Sequence, residues 1–113
     1  MSLNNLQVID AVGTEIKSGE TVLSLIDEWD WQDEPKHLLA LQQKLNAYFK
    51  FVESRQIFES YPSAINSMVR IDIISKFPLP QNAFVFLRKA SNVAAQLNLE
   101  IRVATKAVSA PLH

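Results

Sequence analysis

The sequence predicts an α+β fold, a two-layer sandwich in which two helices cover one face of a four-stranded mixed sheet. Four segments have the apolar patterns of strands, and two longer segments have apolar residues at helical spacing. These segments follow one another in the order ββαβαβ. Because strands with one polar face need a cover on the other face only, both helices are expected on the same side of the sheet.

The length and the cysteine content limit the possible architectures. The 113 residues are predicted to form a single domain over 1–113, with an ordered core from about 5 to 105 and a loose tail at 106–113. The chain contains no cysteine, which excludes disulfides and thiolate metal sites. This composition fits a reducing compartment, and the cytoplasm is the predicted location.

Charge and hydropathy exclude several kinds of partner. The formal net charge is −1, so the chain lacks the basic field that binds phosphates, and no nucleic-acid partner is predicted. No stretch approaches the ~18 apolar residues of a membrane span, and the N-terminus has no secretory signal. Only two glycines are present, both in one predicted turn, which excludes a glycine-rich phosphate loop. We therefore predict no membrane contact and no cofactor.

The first two strands are predicted to form a hairpin. Leu6 to Val12 is a short apolar run of strand type, although Asp10 interrupts its alternation. A polar loop bounded by glycines, Gly13 to Gly19, leads into a second strand at Thr21 to Trp29. Because both faces of the second strand are largely apolar, we expect it in the centre of the sheet.

The first helix has the strongest pattern in the chain. Apolar residues between Leu38 and Val52 recur at helical spacing and predict a helix from Glu34 to about Ser54. Asp33 can cap its start, and Pro35 stands in the first turn, where proline is favoured. The following segment, Arg55 to Ser67, has no regular pattern and contains breakers, so it is predicted to be irregular.

The second half of the chain predicts a strand, a helix and a strand. Met68 to Phe77 alternates as a strand, Pro80 to about Asn98 has helical periodicity, and Leu99 to Thr105 alternates again. The residues predicted to face the core are Val69, Ile71, Ile73 and Phe77 in the strand, Ala83, Phe86, Leu87, Ala90, Val93, Ala94 and Leu97 in the helix, and Leu99, Ile101 and Val103 in the last strand.

The outward faces of the last two strands carry opposite charges. If these strands are parallel neighbours, Arg70 and Asp72 lie beside Glu100 and Arg102. We interpret this ladder as a solvated surface of the sheet.

From Val8 to about Thr105 the chain resembles a family of small bacterial proteins catalogued only as a domain of unknown function. The resemblance rests on VIDAVG at 8–13, LIDEWDW at 25–31, HLLALQQKLNAYFKFVES at 37–54, and the strand with its FPLP turn at 70–80. The spacing from Asp30-Trp31 to the His-Leu-Leu helix start is its most specific part. In similar sequences glycine often follows the Glu-Ser pair, where this chain has Arg55, so the loop after the helix is expected to differ. The resemblance implies a complete bacterial domain and brings no activity with it.

The segment from Asp27 to His37 is the candidate binding site, because carboxylates, tryptophans and a helix start coincide there. The candidate residues are Asp27, Glu28, Trp29, Asp30, Trp31, Asp33 and His37. One interpretation is an acidic, aromatic surface that recognises a basic protein or peptide. The other is structural: the acids stabilise the helix N-terminus, and one or both tryptophans close the end of the core.

An enzymatic role is the alternative to a binding role. Asp27, Asp30, Asp33 and His37 supply oxygen and nitrogen ligands, which would suit a small metal-assisted enzyme or a ligand-binding domain. However, the order of ligands is not that of an EF-hand, and no nucleophile motif or zinc-protease motif is present. The sequence therefore favours a non-enzymatic binding or assembly module, with no catalytic residues and no bound metal.

Surplus apolar residues on the helices predict self-association. Phe51 lies off the apolar stripe of the first helix, and Phe84 and Val85 overhang the core face of the second helix. Small proteins with such spare apolar surface often form symmetric dimers. We therefore predict a homodimer with Phe51, Phe84 and Val85 in its interface.

Overall fold

The computed structural model describes residues 2–105, and in these residues the predicted α+β fold is confirmed. The strands are β1 (Ala11–Thr14), β2 (Thr21–Asp27), β3 (Val69–Ser75) and β4 (Leu99–Thr105). The α-helices are α1 (Glu34–Glu53), α2 (Gln56–Ser60) and α3 (Gln81–Gln96). Two 3-10 helices lie at Ser2–Asn4 and Pro62–Asn66. The tail predicted at 106–113 lies outside the described residues.

The four strands form one mixed sheet in the order β1-β2-β3-β4. β1 and β2 are antiparallel, whereas β2, β3 and β4 are parallel neighbours. Both crossovers, through α1 and through α3, step in the same direction across the sheet. Since such crossovers are right-handed, α1 and α3 cover the same face, as the sequence predicted. Their inward residues share one core with Leu23, Leu25, Ile71 and Ile73 of the central strands.

The hairpin between β1 and β2 is confirmed. Gly19 takes a φ of 76°, a conformation that a residue without a Cβ adopts readily, and its N–H donates to the carbonyl of Glu15 over 2.8 Å. The N–H of Glu15 donates to the carbonyl of Glu20, also over 2.8 Å. This turn carries both glutamates towards the outer face of the sheet.

Arg70 gathers these glutamates on the outer face. Its Nη1 lies 2.7 Å from Oε1 of Glu20 and 3.0 Å from Oε1 of Glu15, and its Nε lies 2.9 Å from Oδ1 of Asp72. Three carboxylates therefore surround the guanidinium of Arg70, whose side chain is only 7% exposed. Charge-assisted contacts of this kind fasten the hairpin turn onto β3.

The predicted register of the charge ladder is confirmed, but hydrogen bonds between the two strands are not observed for these side chains. Arg70 stands beside Glu100, and Asp72 stands beside Arg102. The hydrogen bonds run along each strand instead, from Arg70 to Asp72 and from Arg102 Nε to Glu100 Oε2 over 3.1 Å.

The first strand begins later than predicted. The pattern from Leu6 to Val12 predicted a strand, but β1 starts at Ala11. The residues before it bind the side chain of a buried lysine on α1. Nζ of Lys44, which is 0% exposed, donates to the carbonyl of Asn5 over 3.0 Å and to Oδ1 of Asp10 over 2.8 Å.

Tyr48 completes the attachment of this N-terminal segment to α1. Its hydroxyl accepts a hydrogen bond from the N–H of Asp10 over 2.9 Å and donates one to the carbonyl of Ser24 over 2.5 Å. Burial raises the pKa of the Tyr48 phenol, so the hydroxyl keeps its proton. The segment therefore satisfies its backbone through helix side chains and not through a strand ladder.

Phe51 was wrongly placed outside the core. It is 8% exposed and belongs to the core, because α1 is covered over a wider arc than its predicted stripe. Ala40 and Lys44, which lie on the same side of α1 as Phe51, are buried as well. The 3-10 helix Ser2–Asn4 and α2 both pack against α1.

Other predicted burials need correction. Val93 is 48% exposed and Val103 is 36% exposed, although both were predicted to face the core. Phe84 and Val85 are 50% and 39% exposed, which agrees with their predicted position at the edge of the core. In the part of the chain described, no helix is long and apolar enough to cross a membrane.

The segment after α1 is more regular than predicted. It contains α2 and the 3-10 helix Pro62–Asn66. The turn between α1 and α2 requires Arg55 to adopt a left-handed backbone with a φ of 69°. The resemblance noted in the sequence implied a glycine at this position, and a residue without a Cβ adopts a positive φ more readily than arginine does.

Candidate functional site

The loop between β2 and α1 is held by its own aspartates. Asp27, Asp30 and Asp33 each accept a hydrogen bond through Oδ1 from a backbone N–H two or three residues further along the chain. The donors are Trp29, Gln32 and Lys36, at 3.1, 3.1 and 3.3 Å. Asp33 caps α1 in this way, as predicted. These three aspartates therefore stabilise the loop. In turns, short acidic side chains accept hydrogen bonds from backbone N–H groups that have no backbone acceptor.

Asp27 and His37 form a buried pair beneath this loop. Nε2 of His37 lies 2.6 Å from Oδ2 of Asp27, and both side chains are 1% exposed. Nδ1 lies 2.9 Å from the carbonyl oxygen of Asp30, and because a carbonyl only accepts, Nδ1 carries a proton. Burial raises the pKa of Asp27, and the hydrogen bond from His37 opposes that rise. Both nitrogens of the ring are thus occupied within the protein, so His37 cannot serve as a general base in this conformation.

The two tryptophans enclose His37. The ring of Trp31 stacks on the imidazole with centroids 3.5 Å apart and planes 13° apart. The ring of Trp29 meets it edge-on at 5.5 Å and 63°. Nε1 of Trp31 is buried and has no hydrogen-bond partner among the residues described. The aromatic surface therefore wraps around the histidine, and Trp31 serves mainly to cover it.

A groove of about 470 Å³ opens above the buried pair. The residues that line it are Glu28, Trp29, Asp30, Gln32, Asp33, Lys36 and Phe77. Glu28, Asp30 and Asp33 are exposed, whereas Trp29 and Phe77 are partly buried. Three carboxylates against one ammonium group make the groove acidic. We refer to it below as the acidic groove.

The predicted site residues thus fall into two groups. Glu28, Trp29, Asp30 and Asp33 line the acidic groove, whereas Asp27 and His37 lie beneath it and Trp31 covers His37. These two groups have different physical roles, because Asp27 and His37 are buried, and only the residues that line the acidic groove face a partner there.

The opposite wall of the groove was not predicted from the sequence. Asp27 and Ser75 are partners in the parallel pairing of β2 and β3, so Trp29 and Phe77 each stand two residues beyond that pair. The strand order, once known, brings these rings together. Phe77, the aromatic residue of the FPLP turn, could have indicated this wall. The sequence pattern alone, however, does not show which strands are neighbours.

The candidate ligands of the alternative metal site, Asp27, Asp30, Asp33 and His37, do not converge on one point. Within residues 2–105 no three His, Cys, Asp or Glu side chains are grouped so that they could hold a metal ion. Asp27 and His37 bond to each other, while the carboxylates of Asp30 and Asp33 accept hydrogen bonds from backbone amides.

The fold and the site together define a small α+β protein with an acidic groove lined by aromatic rings at one end of its sheet. The model of a family of unknown function, DUF6572, matches residues 1–107, and the chain belongs to this family. The expected membership of a family of unknown function is thereby confirmed. No curated protein and no solved structure matches the chain in the comparisons made.

Proposed function

We propose that this protein is a non-enzymatic protein-binding module whose acidic groove captures a basic segment of a partner protein. The observation that supports this proposal is the presence of three exposed carboxylates around two partly exposed aromatic rings in one open groove. The carboxylates belong to Glu28, Asp30 and Asp33, and the rings to Trp29 and Phe77.

The chemistry of this lining favours lysine or arginine side chains. Their aliphatic stems can lie on the rings of Trp29 and Phe77. Their cationic groups are attracted to the ring faces and can donate hydrogen bonds to the carboxylates. An acidic surface also speeds the encounter with a basic partner and makes it sensitive to salt. The groove volume of about 470 Å³ is within the range of sites that enclose side chains or small ligands.

The rigid floor of the acidic groove supports the same role. The buried pair of Asp27 and His37 joins the end of β2 to the first turn of α1, and Oδ1 of Asp27 also fixes the N–H of Trp29. A surface that is ordered before binding loses less conformational entropy when a partner docks.

We further propose the bacterial cytoplasm as the compartment of this function. The 113-residue sequence has no cysteine and therefore no disulfide, and proteins of the cytoplasm usually fold without disulfides. The bacterial origin is what the resemblance of the sequence implies.

The proposal can be tested with two synthetic peptides, one of alternating arginine and leucine and one with glutamate in place of arginine. Binding is followed by tryptophan fluorescence. The basic peptide is expected to bind, with an affinity that falls as salt concentration rises. The double variant Glu28→Lys/Asp30→Lys is expected to weaken binding by about tenfold or more.

The matched control is Glu59→Lys, which reverses an exposed charge on α2 away from the acidic groove. Far-ultraviolet circular dichroism confirms that each variant is folded. Equal binding by the groove variant and the control, or equal binding of both peptides, would overturn the proposal.

A further inference from the structure

The edge formed by β4 has a self-complementary arrangement of side chains. Among the residues described, β4 has a neighbouring strand on one side only, so alternate backbone groups along its other side are available for pairing. Its outward face carries Glu100 and Arg102, both exposed, with Ile101 between them on the inward face. Seven residues of edge strand are long enough to pair with a second strand.

We propose that β4 pairs antiparallel with β4 of a second copy of this chain, around a two-fold axis at Ile101. The two sheets then form one continuous sheet with all four long helices on the same side. The interface is isologous, since each copy contributes the same residues.

Charge complementarity selects this register. With Ile101 opposite Ile101 of the second copy, Glu100 lies opposite Arg102 of the second copy, and Arg102 lies opposite its Glu100. Opposite charges that face each other across an antiparallel pair are stabilising. A shift of two residues along the partner strand in either direction places Arg102 opposite Arg102, or Glu100 opposite Glu100, which is unfavourable. A shift of one residue would put apolar side chains on the polar face.

The inward face of β4 favours the same pairing. In this register Leu99 lies opposite Val103 of the second copy and Ile101 lies opposite its Ile101, so apolar residues meet in every inward pair between 99 and 103. Val103 is 36% exposed, and such an apolar residue on an unpaired edge gains burial from a neighbouring strand.

α3 adds a second layer to the contact. Phe86 and Val93 line the groove between α3 and α1, where Phe49 also lies. Phe84 is about 200° around the helix from Phe86, so it is directed away from α1 and towards the β4 side of the sheet. Phe84 is 50% exposed. In the dimer, α3 of the second copy lies beside this flank, because each α3 covers the β3–β4 half of its own sheet.

This dimer differs from the one predicted from the sequence. The contact no longer includes Phe51, which is buried, but it keeps Phe84 on the flank of the interface. The proposed dimer uses the sheet edge formed by β4, whereas β1 forms the other edge, and it leaves the acidic groove open. It therefore does not depend on the proposed function.

A single introduced cysteine tests the register, since the chain has no cysteine of its own. In Ile101→Cys the two thiols lie directly opposite each other, within the range of a disulfide. Under mild oxidation at micromolar concentration, this variant is expected to cross-link into a covalent dimer. The matched control is Val103→Cys, whose thiols lie about 14 Å apart, four residues along the strands at ~3.4 Å per residue, and should not cross-link. Equal cross-linking of the two variants, or none in Ile101→Cys, would overturn the register.

Charge reversal tests the pairing without a covalent bond. By light scattering, the wild type is expected to have twice the 12.8 kDa mass of the chain. Glu100→Arg and Arg102→Glu should each be monomeric, because each variant opposes like charges. An equimolar mixture of the two variants should dimerise again, since every opposed pair then carries opposite charges. A monomeric wild type at high concentration, or a mixture that stays monomeric while the wild type is dimeric, contradicts the proposal.

Discussion

Nε2 of His37 lies 2.6 Å from Oδ2 of Asp27, and each side chain is 1% exposed. This contact joins the last residue of β2 to the first turn of α1, across the loop that lines the acidic groove. The same histidine supports the rings of Trp29 and Trp31. One buried polar pair therefore holds both ends of the loop and its two tryptophans in place.

Removing one member of this pair should lower the stability of the fold. Asp27→Ala leaves Nε2 of His37 and the N–H of Trp29 without their partner, and we expect a loss of about 1–3 kcal/mol in the free energy of unfolding for each of them. Asp30→Ala is the control, because its exposed carboxylate accepts one backbone hydrogen bond, and it should lose about 1 kcal/mol. Urea denaturation measures both. Similar losses in the two variants would show that the buried pair is not the main anchor.

Tyr48→Phe tests the attachment of the N-terminal segment. The variant keeps the ring but leaves the N–H of Asp10 and the carbonyl of Ser24 without the hydroxyl, so we expect a loss of about 1–3 kcal/mol. The control is Tyr61→Phe, whose hydroxyl bonds Thr14 at an exposed position and should change stability by less than about 0.5 kcal/mol. If both tyrosine variants are equally stable, the segment does not depend on Tyr48.

The cluster around Arg70 should make stability depend on pH. The hydrogen bonds from the Arg70 guanidinium lower the pKa of Glu15 from its usual 4.5 to about 2. The folded state therefore favours the ionised carboxylate, and its contribution is present above pH 4.5 and is lost as the pH falls towards 2. Glu15→Gln should be less stable than the wild type near neutral pH, and the difference should shrink over this acidic range. Thermal unfolding at several pH values measures it, and a difference that stays constant with pH would contradict the assignment.

Arg55 offers a test of backbone strain. Both Arg55→Gly and Arg55→Ala remove the guanidinium that lies 5.1 Å from the centre of the Phe58 ring. Only alanine keeps a Cβ at the φ of 69°, so the glycine variant should be more stable than the alanine variant by about 1 kcal/mol. Because both variants lose the contact with the Phe58 ring, the difference in their stability reports only on the backbone at position 55. An alanine variant as stable as the glycine variant would show that the turn relaxes.

The periodicity of the sequence predicted most of the fold because burial follows the period of each element. α1 was expected to end near Ser54 and ends at Glu53, and β4 matches its predicted range. The start of β1 was wrong because the backbone before Ala11 binds Lys44 and Tyr48, which are distant in sequence. Asp10 interrupted the apolar alternation there, and this interruption was the one local sign of such a contact.

The location of the candidate site was easier to predict than the role of each residue. The acidic run coincides with the groove, but pattern alone could not tell that Asp27 and His37 are buried while Glu28 faces solvent. Phe51 was misplaced for a similar reason. Its burial depends on elements that pack on α1 from elsewhere in the chain.

The most direct test of the proposed function is a titration of the ¹⁵N-labelled protein with the arginine–leucine peptide, followed by two-dimensional NMR. We expect concentration-dependent shifts of the backbone amides of 28–33 and of Phe77, together with the indole N–H of Trp29. Amides of Glu100 and Arg102 on β4 should not shift. Shifts that are scattered over the surface, or confined to residues outside the acidic groove, would contradict the claim that this groove binds basic segments.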